Sequence, residues 1–115
     1  MNEFGITEKS YGLILEAFYK YADIEEVLVF GSRAMGNYKT GSDIDFAIKG
    51  RNINNKTAWD VSGYLNEVLP IPYYIDVVCY EALINAELKK HIDRHGKLCY
   101  RRQEILSTTQ KANKN

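Results

Sequence analysis

The sequence predicts an α+β domain. Three segments repeat apolar residues at helical spacing, and three short runs are either continuously apolar or alternate apolar with polar residues, as strands do. These segments alternate along the 115 residues, with no internal repeat and no linker that would separate domains. We therefore expect one domain over residues 1–102, followed by a polar, flexible tail over residues 103–115.

The composition argues against several classes of function. The 15 basic and 15 acidic side chains balance, so no basic field holds duplex nucleic acid, and we expect no nucleic-acid template. No apolar run approaches the ~20 residues that span a bilayer, and the start of the chain lacks the layout of a signal peptide. We expect a cytoplasmic protein without membrane contact. Cys79 and Cys99 lie in strand-like runs without C-x-x-C spacing, which favours buried thiols over a disulfide or a metal site.

The first part of the chain predicts a helix, a strand and a turn. Thr7 is a candidate N-cap, and the apolar positions that follow it define one buried helix face: Tyr11, Ile14, Leu15, Phe18 and Ala22. The run VLVF predicts a short buried strand that stops at Gly31-Ser32. The segment SRAM then has helical propensity, and GNYKTGS has the composition of a loop.

The run DIDFAIK alternates strictly and predicts a strand with two different faces. Asp43 and Asp45 lie on one face, and the core face carries Ile44, Phe46 and Ile48. Residues two apart on a strand have Cα atoms ~6.7 Å apart and point the same way. Divalent cations between the two carboxylates would relieve their repulsion. Taken alone, the pattern fits an exposed polar strand face about equally well.

The second part of the chain predicts two further helices and two further strands. Residues 57–69 suit a helix that Pro70 and Pro72 close, with apolar positions Val61, Leu65, Val68 and Leu69. Trp59, near the start of this helix, is expected to cover the sheet. Residues 85–95 suit another helix, which Gly96 ends, and KLCYRR suits an edge strand.

The run YYIDVVCY predicts a strand that carries one carboxylate. Asp76 shares a face with Tyr74 and Val78, opposite the core positions Ile75, Val77 and Cys79. If this strand neighbours DIDFAIK, Asp76 is the candidate third carboxylate ligand for one of two Mg²⁺ ions bridged from Asp43 and Asp45.

The turn and the two aspartates together match a known motif. Gly31-Ser32, ten intervening residues and Asp43-x-Asp45 resemble the signature of the nucleotidyltransferase superfamily related to DNA polymerase beta, in the form found in minimal nucleotidyltransferases. The turn stands where a strand ends and offers backbone N–H groups and a hydroxyl to phosphate oxygens. The resemblance covers most of the chain and implies the nucleotidyltransferase fold, a mixed central β-sheet flanked by helices.

The resemblance also implies roles for individual residues. By this likeness, Gly31 and Ser32 bind the triphosphate, Asp43 and Asp45 ligate both Mg²⁺ ions, and Asp76 is the third catalytic carboxylate.

The basic residues near the turn are less clearly assigned. Arg33 is a candidate phosphate contact, and a surface position suits it equally. Many relatives carry a second basic residue where this chain has Met35. Lys39, in the same loop, is a candidate replacement that the sequence leaves open.

The implied reaction is attack by an acceptor hydroxyl on the α-phosphorus of ATP, which transfers AMP and releases pyrophosphate. One Mg²⁺ ion would lower the pKa of the acceptor hydroxyl, and the other would neutralise charge on the leaving pyrophosphate. Larger members add a helical domain that closes the cleft, and 115 residues leave no room for one. Minimal members are commonly paired with an all-helical toxin of the HEPN class and modify one of its tyrosines with AMP. The resemblance thus implies an antitoxin that acts on this partner. For the assembly of the chain itself, both a homodimer and a hetero-oligomer stay open.

Two other functions stay open. A catalytically silent antitoxin could cover its partner, although it would have no need for three clustered acids. A small-molecule nucleotidyltransferase, acting on an aminoglycoside for example, would need an acidic acceptor pocket and more chain.

His91 and His95 have the spacing of helical zinc ligands, but Ile92 replaces the glutamate of H-E-x-x-H, which favours a solvated helix face.

Overall fold

The computed structural model describes residues 1–103 and shows helices on a four-stranded sheet. The strands are β1 (Glu26–Phe30), β2 (Ile44–Lys49), β3 (Ile75–Cys79) and β4 (Lys97–Arg101). The α-helices are α1 (Glu8–Lys20), α2 (Ser32–Met35), α3 (Asn55–Gly63) and α4 (Ala86–His95). One π-helical turn, Tyr64–Val68, continues α3, and one 3-10 turn, Tyr80–Ala82, follows β3. The predicted α+β class is confirmed.

The sheet is mixed, as predicted, with the strand order β3-β2-β1-β4. Strand β1 pairs antiparallel with both β2 and β4, and β2 pairs parallel with β3. The KLCYRR segment forms the edge strand β4, and β3 forms the opposite edge. Cys79 and Cys99 therefore lie on opposite edges of the sheet, and both are free thiols.

The main core lies between one face of the sheet and the helices α1 and α3. The predicted core face of β2 is fully buried, and the aromatic ring of Phe46 packs edge-to-face on Phe18 of α1, with ring centroids 5.1 Å apart. Further buried positions come from β1, β3 and α3, including Val27, Val29, Ile75, Ala58 and Val61. This packing fixes which residues of β2 and β3 point away from the core.

The second face of the sheet is covered only in part. Ile92 of α4 packs there against Phe30 and Ala47 in a smaller apolar cluster. The same face carries Asp45 and Asp76, because both alternate with core residues along their strands. Helix α4 thus leaves the carboxylates accessible beside it.

Side-chain caps explain where the helices begin. Thr7 caps α1 by accepting from the backbone N–H of Ser10, as the sequence predicts. Asn54 and Thr57 form a capping box that starts α3 at Asn55, two residues before the predicted start. Asn85 caps α4 through the N–H groups of Glu87 and Leu88.

Three predicted core positions are exposed instead. Helix α1 ends at Lys20, so Ala22 lies beyond it and faces solvent. Val68 is 65% exposed, because the π-helical turn shifts the helical phase at the end of the segment. Trp59 is 72% exposed on the outer side of α3 and does not cover the sheet.

The edge of β3 is closed by a side chain. The Oδ1 of Asn66 accepts from the Ile75 N–H at 2.8 Å, and its Nδ2 donates to the Ile75 carbonyl at 2.7 Å. Asn66 lies in the π-helical turn. The amide thus replaces a neighbouring strand at one residue of an edge that would otherwise be free to pair.

Within residues 1–103, no helix combines the length and the apolar character needed to cross a membrane. The tail predicted for residues 103–115 lies outside the described residues, apart from Gln103.

Candidate active site

The parallel pairing of β2 with β3 places Asp45 directly beside Asp76. Asp43 lies immediately before β2. Asp45 is half-buried, whereas Asp43 and Asp76 are exposed. The condition set by the sequence, that the strand of Asp76 should neighbour that of Asp45, is met, and all three predicted carboxylates lie at one end of the same two strands.

The environment of Asp45 disfavours its charged form. Burial, followed by the negative charges of Asp76 and Asp43, raises the pKa of Asp45 from 3.8 to about 6, while the Arg33 guanidinium acts in the opposite direction. Within residues 1–103, no three His, Cys, Asp or Glu side chains are gathered closely enough to hold a metal ion by themselves. A site of oxygen donors only, open to substrate phosphates, nevertheless suits Mg²⁺, which is commonly bound by one or two carboxylates together with phosphates and water.

Gly31 permits a close approach between the turn and Asp45. Phe30, the residue before Gly31, pairs with Asp45 across β1 and β2. Gly31 has a φ of +71°, which glycine adopts readily. A Cβ atom at this position would collide with the Oδ2 of Asp45. The Gly-Ser motif and the Asp-x-Asp motif are therefore in contact, and the contact requires glycine.

Ser32 begins the short helix α2 directly after this turn. The Gly31 carbonyl accepts from the N–H groups of Ala34 and Met35, and the Gly36 N–H closes the helix by donating to the Ser32 carbonyl. The first N–H groups of a helix have no carbonyl partner within it. The Ser32 and Arg33 N–H groups and the Ser32 hydroxyl thus follow the turn directly, and their role as a phosphate cradle stays a prediction.

Arg33 is buried and bonds to the protein backbone, and it does not face an open site. Its side chain is buried, with the residue only 2% exposed. Its guanidinium donates to four backbone carbonyls, those of Phe4, Gly5, Ser42 and Asp43. The rings of Tyr38 and Tyr73 flank the guanidinium at 4.9 and 5.1 Å. Neither alternative considered from the sequence, a phosphate contact or a surface arginine, matches this arrangement.

His91 is a contact of the turn that the sequence did not indicate. Its Nε2 accepts from the Gly31 N–H at 3.0 Å. The spacing of His91 and His95 pointed only to zinc or to a solvated helix face, because the contact depends on how α4 docks on the sheet.

Met35 is half-exposed, and Lys39 is exposed in the loop after α2. The replacement by Lys39 of the basic residue that many relatives carry at the position of Met35 stays a prediction.

Comparison with known proteins adds the family. A family model described as "Polymerase beta, Nucleotidyltransferase" matches residues 13–105, which include the Gly31-Ser32 turn and all three aspartates. The chain belongs to the polymerase beta nucleotidyltransferase family. The nucleotidyltransferase resemblance drawn from the motif is thereby confirmed. No curated protein matches the sequence significantly.

Solved structures share the fold at low sequence identity. A toxin-antitoxin crystal structure with AMP-PNP is 20% identical, with a TM-score of 0.63, covering 97% of this chain and 90% of that chain. A toxin-antitoxin MntA-HepT structure is 17% identical, with a TM-score of 0.62, covering 92% and 89%. A variant of that complex with two Asp-to-Glu substitutions, two positions apart, is 17% identical, with a TM-score of 0.63, covering 89% and 88%.

The contact between Gly31 and Asp45 predicts that Gly31→Ala destabilises the protein more than Gly36→Ala. Both glycines have a positive φ, but a Cβ at Gly36 meets open space. Alanine at Gly36, which lies in the left-handed helical region, costs about 1–2 kcal/mol of backbone strain. Gly31, with φ +71° and ψ −154°, lies in a region that essentially only glycine adopts, and the collision should add about 1–3 kcal/mol to that strain. Urea unfolding measures the difference. Equal losses in the two variants would contradict the close contact.

The raised pKa of Asp45 predicts a pH-dependent stability. Because its pKa is higher in the folded chain than in the unfolded chain, the folded state binds more protons between about pH 4 and about pH 6. The contribution of Asp45 to the stability of the metal-free protein should therefore fall as the pH rises through this range. Asp45→Asn should raise the melting temperature above pH 6 and leave it near the wild-type value at about pH 4. Asp23→Asn, at an exposed position elsewhere, is the control, and parallel pH profiles for all three proteins would refute the prediction.

The buried guanidinium predicts a large stability loss in Arg33→Met, because four carbonyls lose their donors at once. We expect about 3 kcal/mol or more. Arg33→Lys should also lose stability, because an ammonium group cannot reproduce the planar fork of donors. Arg51→Met, at an exposed arginine with one surface ion pair, should change the free energy of unfolding by less than about 1 kcal/mol. Wild-type stability in Arg33→Met would instead favour the phosphate contact considered from the sequence.

Proposed function

We propose that this chain is a Mg²⁺-dependent nucleotidyltransferase that transfers AMP from ATP to a tyrosine hydroxyl of an all-helical HEPN-type toxin, and that it acts as the antitoxin of that toxin. The observation that carries the proposal is the contact of two motifs: the glycine turn that suits a triphosphate lies against Asp45, which lies beside Asp76. A phosphate cradle next to paired carboxylates is the arrangement that metal-dependent phosphoryl transfer needs.

Each residue of the candidate site has its own role in the proposed reaction. The start of α2 and the Ser32 hydroxyl hold the β- and γ-phosphates of ATP. Asp43 and Asp45 would hold Mg²⁺, with Asp76, beside Asp45 on the neighbouring strand, as a third carboxylate. The chemistry that Mg²⁺ supplies when bound is a lowered pKa for the acceptor hydroxyl and a counter-charge for the leaving pyrophosphate.

The atoms of the transfer balance without a further reactant. The acceptor oxygen forms a bond to the α-phosphorus of ATP while the bond from that phosphorus to the bridging oxygen of pyrophosphate breaks. The proton of the hydroxyl leaves through Asp76, which is exposed on the edge strand β3, or to water. Burial and the charges of Asp76 and Asp43 disfavour the charged form of Asp45, and a cation held there would offset that cost.

The accessibility of the carboxylates supports a protein acceptor. Asp76 lies on an edge strand and Asp43 before β2, and both are exposed on the face that α4 covers only in part. A loop or chain end of a partner can reach such an exposed site, whereas a small molecule would be surrounded by few side chains there. The fold is shared with toxin-antitoxin structures, one of them with the ATP analogue AMP-PNP and one with two substituted aspartates two positions apart. ATP as substrate and free thiols fit a cytoplasmic protein.

The first test of the function is the mass of the partner. The tagged chain is purified from its native cells, and the intact mass of each co-purifying protein is measured with and without added ATP and Mg²⁺. We expect one all-helical partner to gain whole AMP units on a tyrosine. Asp43→Asn and Asp45→Asn should abolish the gain and retain the fold, because they remove ligands from a solvent-accessible site, and Asp23→Asn should behave as wild type.

The alternatives give different results in the same experiment. A stable partner whose mass changes with none of the four nucleoside triphosphates would establish a silent binding antitoxin. A gain of a different nucleotide unit would keep the enzyme class and correct the substrate. Absence of any partner would favour small-molecule acceptors, which are then screened with labelled ATP. Activity retained in Asp45→Asn would refute the assignment of the site.

A further inference from the structure

His91 lies outside the motif of the family and is nevertheless bonded to it. It belongs to α4, sixty residues from Gly31 in sequence, and its Nε2 accepts the backbone N–H of Gly31 at 3.0 Å. The ring lies edge-on to Phe30, with centroids 6.1 Å apart and planes at 75°, and it contacts the ring of His95 at 5.2 Å. The imidazole is therefore held on two sides by packing while one nitrogen contacts the turn.

This contact defines the state of the imidazole. A backbone N–H can only donate, so the Nε2 of His91 carries the lone pair and the Nδ1 carries the proton of a neutral ring. The bond also restricts the peptide between Phe30 and Gly31, which is the last peptide of β1 before the positive φ of Gly31. Glycine has more backbone freedom than any other residue, so an acceptor outside the turn limits a rotation that the turn itself would permit.

The orientation of this peptide determines what the turn offers to an anion. Because the Gly31 N–H is engaged by His91, the donors left at the turn are those that follow it, the Ser32 hydroxyl and the N–H groups at the start of α2. The same peptide leads into the glycine whose missing Cβ leaves space for Asp45. A rotated peptide would move both the donors and the backbone that Asp45 contacts. Fixing donors before a ligand arrives lowers the entropy cost of binding.

We propose that His91 is a positioning residue of the nucleotide site, which holds the Gly31 peptide so that the turn presents its remaining donors to the triphosphate. The inference rests on the proposed function, since it takes the triphosphate of a nucleotide as the anion. His91 acts through Gly31 and touches neither the reacting atoms nor the carboxylates.

The neighbouring histidine provides a matched control. His91 lines a shallow groove of about 210 Å³ on α4 together with Glu87, Lys90, Arg94 and His95. His95 shares this groove and the ring contact, but its ring is not the acceptor for the Gly31 N–H. Leucine at His95 changes the groove and keeps an apolar side chain beside the His91 ring, while the bond from the Gly31 N–H to His91 stays in place.

The test compares His91→Leu, His91→Gln and His95→Leu. Leucine removes the acceptor and keeps an apolar side chain against Phe30. In glutamine, the Oε1 stands as many bonds from Cα as the Nε2 of histidine and can accept the same N–H. The first measurement is the hydrogen exchange of the Gly31 amide in the nucleotide-free protein. We expect exchange to accelerate about tenfold in His91→Leu, as for the loss of one hydrogen bond, and to stay near wild type in the other two variants.

The second measurement is the Kd of AMP-PNP in the presence of Mg²⁺, by calorimetry. We expect it to rise about fivefold to tenfold in His91→Leu, the range for one neutral hydrogen bond, and to stay within about twofold of wild type in His91→Gln and His95→Leu. A merely structural role would lower the urea midpoint of His91→Leu and leave the Kd of the folded protein unchanged. If His91→Leu does not fold, His91→Asn takes its place, because its shorter amide cannot reach the Gly31 N–H.

The outcomes separate the inference from the proposed function. Wild-type protein that binds no AMP-PNP would refute the proposed function, while the exchange of the Gly31 amide would still report on the bond to His91. Wild-type protein that binds AMP-PNP, with an unchanged Kd in His91→Leu, would refute the positioning role and leave the proposed function standing. An equal loss in His95→Leu would assign the effect to the groove and overturn the inference.

Discussion

The buried guanidinium of Arg33 holds together the segments that surround the candidate active site. It lies in α2, directly after the glycine turn, and donates to carbonyls of the N-terminal segment and of the Ser42–Asp43 peptide just before β2. Its partners are carbonyl dipoles and the faces of two tyrosines rather than a bonded carboxylate. Burial of an unpaired charge is costly unless its donors are satisfied, so the loop that carries Asp43 has to close around the arginine. The segment that carries Asp43 is thus held in place by hydrogen bonds from a buried residue.

Three segments that are distant in sequence meet at Gly31. The turn itself follows β1, Asp45 comes from β2, and His91 comes from α4. The missing side chain of Gly31 allows the carboxylate to approach on one side, and its N–H is held by the imidazole on another. A single glycine therefore couples the backbone of the turn to the position of Asp45, and the bond to His91 depends on how α4 packs against Phe30 and Ala47.

The site is stabilised poorly in the absence of its ligands. Asp43, Asp45 and Asp76 lie at one end of two parallel strands, and burial, followed by the charges of the other two carboxylates, raises the pKa of Asp45. Cations would relieve this repulsion, so the arrangement that lowers the stability of the free protein favours cation binding. The surrounding apolar core between the sheet, α1 and α3 supplies the stability that the site lacks.

The sequence by itself determined the α+β class, the order of most elements and the carboxylates of the candidate site. These depend on local patterns: the strict alternation of DIDFAIK decides its faces, Thr7 starts a helix, and the spacing of Gly31-Ser32 and Asp43-x-Asp45 marks the motif. Only the tertiary structure decided where Arg33, His91 and Trp59 lie. Arg33 turns inward to bond with a segment almost thirty residues before it, His91 reaches the turn across sixty residues, and Trp59 faces solvent because Ala58 and Val61 fill the core side of α3. A local pattern records the period of one element, whereas these positions follow from the packing of several elements, which no single segment encodes.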